Sequence, residues 1–350
     1  MVYAVSKKRI KMKTAFYCKL CIVLICSLWF VACRHDGRVS NSAKFTNIKH
    51  VTPKQTVING HGVLNDILYL ENYYLIHNDI KQEGNQLSVY DKRTNKFLYS
   101  FAAKGHGENE TIAMDMIQTY HGDTLEIIDQ AKYKIIKYVI GRKQANMLNK
   151  KFLSFANSGP LQEVYRLNDS ILIFSTLDAR LITYNDSKNK IVSECNFCDS
   201  LGIPRELNEQ VKFHFSCFNN QLCIGFRHIN SILIGNVDNG IIKIPELKNL
   251  EEQARVADVE MIYYVYVDIS ENFVLGQYMG YKPGFIEKVA GNYSSYSPKF
   301  ELEVYTKDLK AYQHIQTTTD VLRCKLSKDS NEIYSWNPLA SESNIVRVSF

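Results

Sequence analysis

Leu87-Ser88-Val89-Tyr90, the polar run Asp91-Lys92-Arg93-Thr94-Asn95 and then Lys96-Phe97 read as a strand, a tight reversal and a second strand. Apolar side chains alternating with period two mark the strands, and Asp and Asn supply the turn chemistry. The phrase returns at Leu181-Ile182-Thr183-Tyr184, running on to Lys190-Ile191, and at Leu302-Glu303-Val304-Tyr305, resuming near Lys310. Weaker copies begin at Ile135, Leu233 and Ile345, with Tyr138, Asn236 and Val348 in the fourth place. Successive copies start between 43 and 69 residues apart. A period of that length, with several short strands in each, is the signature of a β-propeller rather than a sandwich. The sequence therefore predicts an all-β chain folded as a six-bladed β-propeller.

Four strands parse within a period. In the first they are residues 66–70, 73–77, 86–91 and 96–102, and in the third 163–167, 170–175, 180–185 and 190–194. The last copy starts at Ile345 and the sequence stops at Phe350, so the sixth blade lacks an outer strand. Residues 45–51 or 55–58 are expected to supply it, an N-terminal strand closing the last blade and removing an open edge. Helix signals are scarce. Residues 247–257 form the one convincing helical stretch, placed between blades.

The N-terminus reads as a processing segment. Lys7, Lys8, Arg9, Lys11 and Lys13 precede an apolar run at residues 20–32, shorter than the roughly 20 residues a membrane-spanning helix takes. The run ends in Phe30-Val31-Ala32-Cys33, which resembles the bacterial lipobox. The expectation is a lipoprotein signal at residues 1–32, lipidation of Cys33, a tether at 33–43 and the propeller at 44–350. Anchored acyl chains hold through their buried methylenes, so the membrane is an expected partner and the cell envelope the expected location, with a lean to the outer membrane. The net charge of +6 is matched by the six basic residues of that segment, Lys19 included. The remainder is near neutral and has no basic stripe, which argues against nucleic acid as a partner.

With the lipobox, the six-fold pattern and the segment Lys104-Gly105-His106-Gly107-Glu108-Asn109-Glu110 taken together, the chain resembles the TolB-like six-bladed propeller lipoproteins of bacterial envelopes. Relatives often carry Gly-x-Gly-Pro-x-Glu at that segment. Gly105, Gly107 and Glu110 match, and Glu108 stands where proline is usual. The resemblance implies ligand binding or scaffolding at the envelope, without an assigned activity.

Candidate site residues follow from propeller topology. Loops joining second to third strands, and one blade to the next, gather on one face around the channel. By the sequence they are residues 79–85, 130–133, 176–179, 227–231, 278–298 and 337–343, with the passage at 104–110. Ligand contacts are expected from His106 and Glu108 in the passage, from Arg227 and His228, from Tyr278 and Tyr281 on the long fifth loop, and from Trp336. Arginine offers a bidentate fork to anions, and loop aromatics stack on sugars or peptides. The expected ligand is a peptide, a protein partner or a glycan. No catalytic motif, metal set or cofactor fingerprint is present, so a non-enzymatic binding role leads. A hydrolase or lyase assembled at the channel mouth is the alternative. Of nine cysteines, Cys195 and Cys198 have C-x-x-C spacing, read as a loop disulfide or as packing thiols.

Overall fold

The computed structural model describes residues 41, 44–51, 54–57, 63–79, 84–117, 122–154, 160–282, 301–317, 323–327, 331–336 and 344–350. The signal segment, Cys33 and the aromatics Phe285, Tyr293 and Tyr296 of the fifth loop lie outside the described residues. Two short strands come first, β1 (Ile48–Val51) and β2 (Lys54–Val57). Blade 1 is β3 (Val63–Tyr69), β4 (Tyr73–Asp79), β5 (Asn85–Asp91) and β6 (Phe97–Ala103). Blade 2 is β7 (Met114–Ile117), β8 (Thr124–Asp129), β9 (Lys134–Ile140) and β10 (Ala145–Phe152). Blade 3 is β11 (Leu161–Arg166), β12 (Ile171–Thr176), β13 (Arg180–Asn185) and β14 (Lys190–Asn196). Blade 4 is β15 (Phe213–Phe218), β16 (Gln221–Phe226), β17 (Ile232–Asp238) and β18 (Ile241–Lys243). Blade 5 is β19 (Ile262–Ile269), β20 (Phe273–Tyr281), β21 (Glu301–Thr306) and β22 (Ala311–Thr317). Blade 6 is β23 (Arg323–Leu326), β24 (Glu332–Trp336) and β25 (Asn344–Ser349). Each blade is an antiparallel meander in chain order, and the six together form a six-bladed β-propeller.

The repeated sequence phrase is the third strand of each blade. That strand is apolar on both faces because it packs between two neighbouring blades. Leu87, Leu181 and Leu302 are fully buried. Burial follows the joints between blades. Leu87 and Leu75 of blade 1 share a cluster with Leu125 and Ile127 of blade 2. Alternate residues of β12 serve opposite sides: Leu172 and Phe174 pack with Ile128 of blade 2, and Ile173 packs with Phe215 of blade 4. The ring closes where Tyr334, Trp336 and Ile345 of blade 6 meet Ile67, Tyr74 and Tyr90 of blade 1.

Closure uses the N-terminal strands in two ways. Strand β2 is the missing outer strand of blade 6, with Lys54 opposite Arg347 and Val57 opposite Asn344. Strand β1 instead runs parallel to β22 as a fifth strand of blade 5, Ile48 opposite His314. Of the two segments the sequence offered for closing blade 6, residues 55–58 do so through β2, whereas residues 45–51 do not, their strand joining blade 5 instead. Upstream of β1, Phe45 is buried against Tyr305, with ring centroids 5.3 Å apart. Asn41 exchanges two 3.0 Å amide hydrogen bonds with Asn230. The compact unit spans Ser40–Phe350, so Asn41, assigned to the tether from sequence, packs with the blades.

Residues 247–257 hold a 3₁₀ turn (Leu247–Leu250) and a short helix (Glu251–Arg255) between blades 4 and 5. A second helix, α1 (Phe197–Leu201), follows β14, and a 3₁₀ segment (Arg205–Val211) follows it. Its ends are marked chemically: the Asn196 side chain accepts the Asp199 N–H, and Gly202 closes the turn at φ 66°. The C-x-x-C pair straddles this junction, Cys195 in the strand and Cys198 buried in the helix. Neither forms a disulfide, and burial pushes both thiols up.

Candidate functional site: the axial cavity

The first strand of every blade borders the propeller axis, and there the chain forms a half-open cavity of about 240 Å³. Each blade places a polar side chain in its wall: Asp66, Asp115, Glu163, His214, Tyr266 and Lys325, in blade order. Arg323 and the buried Trp336 of blade 6 complete the charged and aromatic lining.

Among the described residues of this wall, two side-chain pairs cross blade boundaries. The Lys325 ammonium lies 2.8 Å from an Asp66 oxygen and donates to the Ile67 carbonyl at 3.0 Å, joining blade 6 to blade 1. His214 Nδ1 lies 2.8 Å from Glu163 Oε1, and Glu163 Oε2 accepts the Phe215 N–H at 3.0 Å, joining blades 3 and 4. Asp115 differs. It accepts from the neutral amide of Gln130, in the loop between β8 and β9. Burial pushes the Asp115 carboxyl up to about 7, and the Asp66 and Glu163 carboxylates push the same way against Lys325 and Arg323.

In the unfolded chain the Asp115 carboxyl returns to its ordinary value near 3.8. Between there and about 7 the folded state binds the proton more tightly, so this group's contribution to stability falls as pH rises through that window. Replacing Asp115 by Asn removes the charge that develops. The variant's melting temperature should gain on the wild type between pH 4 and pH 8, on the order of 5 °C, which corresponds to one or two kcal/mol in a large domain. A gain of equal size at both pH values would mean that the charge is not the cause.

Among the residues expected from sequence to contact ligand, Trp336 lines this cavity. It ends β24 beside the second-to-third loop, is 2 % exposed, and its indole N–H has no hydrogen-bond partner among the described residues. The other six lie outside the lining. His106 and Glu108 are exposed on the passage between blades 1 and 2, and Glu108 pairs with Lys150 of the outer strand β10. His228 is buried at the joint of blades 4 and 5, its Nδ1 donating to the Met261 carbonyl at 2.8 Å, and burial holds its imidazole below the usual range. The backbone of Arg227 bridges Lys212 and Tyr263 at the same joint. Tyr278 and Tyr281 belong to strand β20, which continues past the point where the sequence placed a loop. Both are buried, Tyr278 edge-on to Tyr264 at 5.4 Å and Tyr281 packed with Ile262 and Met279.

The Gly-His-Gly segment has a structural explanation. Lys132 donates to the carbonyls of Gly107 and Glu110 at 3.0 Å and of Gly105 at 3.3 Å. Lys134, 1 % exposed, donates to those of Glu108 at 2.8 Å and Glu110 at 3.0 Å. The Glu110 carboxylate turns back to accept the Gly107 N–H at 2.7 Å. A Cβ at Gly107 would lie 2.9 Å from that carboxylate, and one at Gly105 would collide with it. The glycines thus leave room for the Glu110 carboxylate to fold back on the segment, and a Cβ at either would make that side chain shift.

A second cavity, of about 270 Å³, sits at the end of blade 3 among Asp178, Arg180, Glu194, Cys198 and Arg205. Its charges pair among themselves: Arg180 spans Asp178 at 2.8 Å and Glu194 at 2.9 Å, and Arg205 meets Asp199 at 2.6 Å. The axial cavity, with contributions from all six blades and charges not fully paired, is the better candidate.

No family model and no curated protein matches the chain. Solved structures do. A protein of Bacteroides fragilis described as exported aligns over 87 % of this chain and 99 % of its own, at 12 % identity and a TM-score of 0.55. Chaetomium thermophilum Raptor aligns over 85 % of this chain and 29 % of its own at 10 % identity, TM-score 0.49. The Cps50 (Swd1) β-propeller domain of Myceliophteria thermophila aligns over 85 % and 100 %, at 10 % identity and a TM-score of 0.49. At such identities the similarity concerns the fold.

Proposed function

We propose that this chain is an exported, lipid-anchored binding propeller that takes its ligand into the axial cavity without chemical conversion. The observation that carries the reading is the cavity wall, where six different blades each contribute a polar side chain around one space. Export is supported by the signal-like N-terminus and by the B. fragilis structure described as exported. Anchoring rests on Cys33 in its lipobox-like setting. Cys33→Ser should abolish incorporation of a palmitate analogue and release the protein from membranes. Labelling that persists in the variant would remove the anchor from the proposal.

The enzymatic alternative has one specific point in its favour. His214–Glu163 and Lys325–Asp66 are titratable pairs within hydrogen-bond reach in a concave site. In both, the partners engage each other, and Glu163, Asp66 and Lys325 also bind backbone, as expected of groups that fix the wall and hold adjoining blades. Binding is therefore preferred. The test is a screen of the purified protein on glycan and peptide arrays, with turnover of each hit followed. Hits should be lost when the cavity is filled by Gln162→Trp and retained in Phe152→Ser, a change at an exposed position on β10. Hits indifferent to Gln162→Trp would move the site off the axis.

A further inference from the structure

We infer that the axial cavity recognises a small zwitterion, an amino acid or the free amino end of a short peptide, through Asp115 on one wall and Arg323 on another. This rests on the axial reading given above and specifies its ligand. The argument is an inventory of what the wall leaves unmatched. Asp66 is held by Lys325 and accepts the Ile67 N–H at 2.8 Å. Glu163 is held by His214 and the Phe215 N–H. Among the described residues Asp115 accepts a hydrogen bond from the uncharged Gln130 amide and pairs with no cation, and two further carboxylates border the same space. An organic ammonium entering there would meet an acid that no cation among the described residues contacts, and would favour its ionised form. Charge-assisted hydrogen bonds of that kind are the strong ones. Among the described residues no three acidic, histidine or cysteine side chains converge as a metal-holding group, which favours an organic cation over a bare ion.

The opposite pole lies in blade 6. Arg323 opens β23, is exposed, and makes no hydrogen bond or ion pair among the described residues. An unpaired guanidinium at a cavity margin is a fork for a carboxylate. The unpartnered indole N–H of Trp336, 2 % exposed in the same lining, is a second donor suited to a carboxylate or carbonyl oxygen. Acceptor and donors thus face one space from different blades. A molecule with an amine at one end and an acidic or carbonyl oxygen at the other satisfies both. The volume of about 240 Å³ falls below the roughly 300–1,000 Å³ of drug-sized ligand sites, which sets the scale at one or two amino-acid residues.

The test is titration calorimetry of the mature protein with alanyl-alanine, its N-acetyl form, its C-terminal amide, free alanine and an alanine hexapeptide. Acetylation should weaken binding about tenfold by removing the ammonium, and amidation should weaken it several-fold. In Asp115→Asn the free and acetylated dipeptides should bind alike. In Arg323→Gln the acid and its amide should bind alike. Both variants should keep the wild-type circular dichroism spectrum. Alanine binding as well as the dipeptide identifies a free amino acid as the ligand form, whereas a hexapeptide that binds equally identifies a peptide end. Equal affinity for the free and acetylated dipeptide in the wild type overturns the inference, as does a variant that weakens all probes uniformly. If no zwitterion binds but a glycan does, and Gln162→Trp blocks it, this inference falls and the axial reading stands. If nothing binds in a manner sensitive to Gln162→Trp, both fall.

Discussion

A chain starting at Val63, and so without β1 and β2, is expected to be recovered as aggregate or as a soluble form melting more than about 10 °C below the intact protein. The deletion leaves β25 as an unpaired edge along its full register with Lys54–Val57. It also strips β22 of its parallel partner, removes Phe45 from the Tyr305 ring and takes Asn41 from Asn230. Exposed, unprotected edges pair with other chains. The buried apolar area lost with Phe45 alone is worth roughly 1.5–3 kcal/mol, before any backbone ladder is counted. The check includes rescue: a synthetic peptide of residues 41–58 added during refolding should restore solubility and most of the melting temperature. A truncated chain that is monomeric and as stable as the whole would show that the ring holds without this closure.

Asp268→Ala should be the most destabilising single substitution on the axial side, lowering unfolding free energy by about 3–5 kcal/mol. Asp268 is fully buried on β19. One oxygen accepts the Ser216 hydroxyl of blade 4 at 2.6 Å and its neighbour's N–H, Ile269, at 2.9 Å. The other accepts the Leu326 N–H of blade 6 at 2.8 Å. A single carboxylate therefore ties three consecutive blades. Alanine leaves these donors buried and unmatched, at roughly 1–3 kcal/mol for each such group. Ser216→Ala removes only one donor and should cost about 1 kcal/mol. Urea unfolding of the two variants against wild type decides the point. Equal, small losses in both would mean that water replaces the carboxylate and that the clasp is weak.

The parts of the molecule legible in sequence are those where burial is demanding. Third strands such as β5 and β13 are covered on both sides, so their apolar phrase survives in every repeat. The first strands answer to the axis instead. They share no common phrase: Met114–Ile117 and Phe213–Phe218 alternate apolar with polar residues, whereas Ile262–Ile269 is mostly apolar, so the positions at Asp66, Asp115, Glu163, His214, Tyr266 and Lys325 did not repeat as a motif. Their signal was of another kind: a titratable or phenolic side chain returning about once per blade. Loop-face aromatics misled for a local reason. Gly280, at φ 69°, with Lys282-Pro283-Gly284 after it, reads as a turn that begins early, yet β20 extends to Tyr281 and carries its rings into the core. The helix Phe197–Leu201 was within reach, since Asn196 and Gly202 are its two cap residues. Lys132 and Lys134 were not, because nothing in the spacing of two lysines reveals that carbonyl groups from another segment will enclose them.

The pairing of β2 with β25 joins some of the earliest residues to some of the last. During synthesis Lys54–Val57 must wait for Asn344–Ser349, so the ring stays open until blade 6 has been made, and contacts this distant in sequence slow the search for the native state. A ring left open until blade 6 exists can still be drawn out as a linear chain, and closes once both of its joining strands are present.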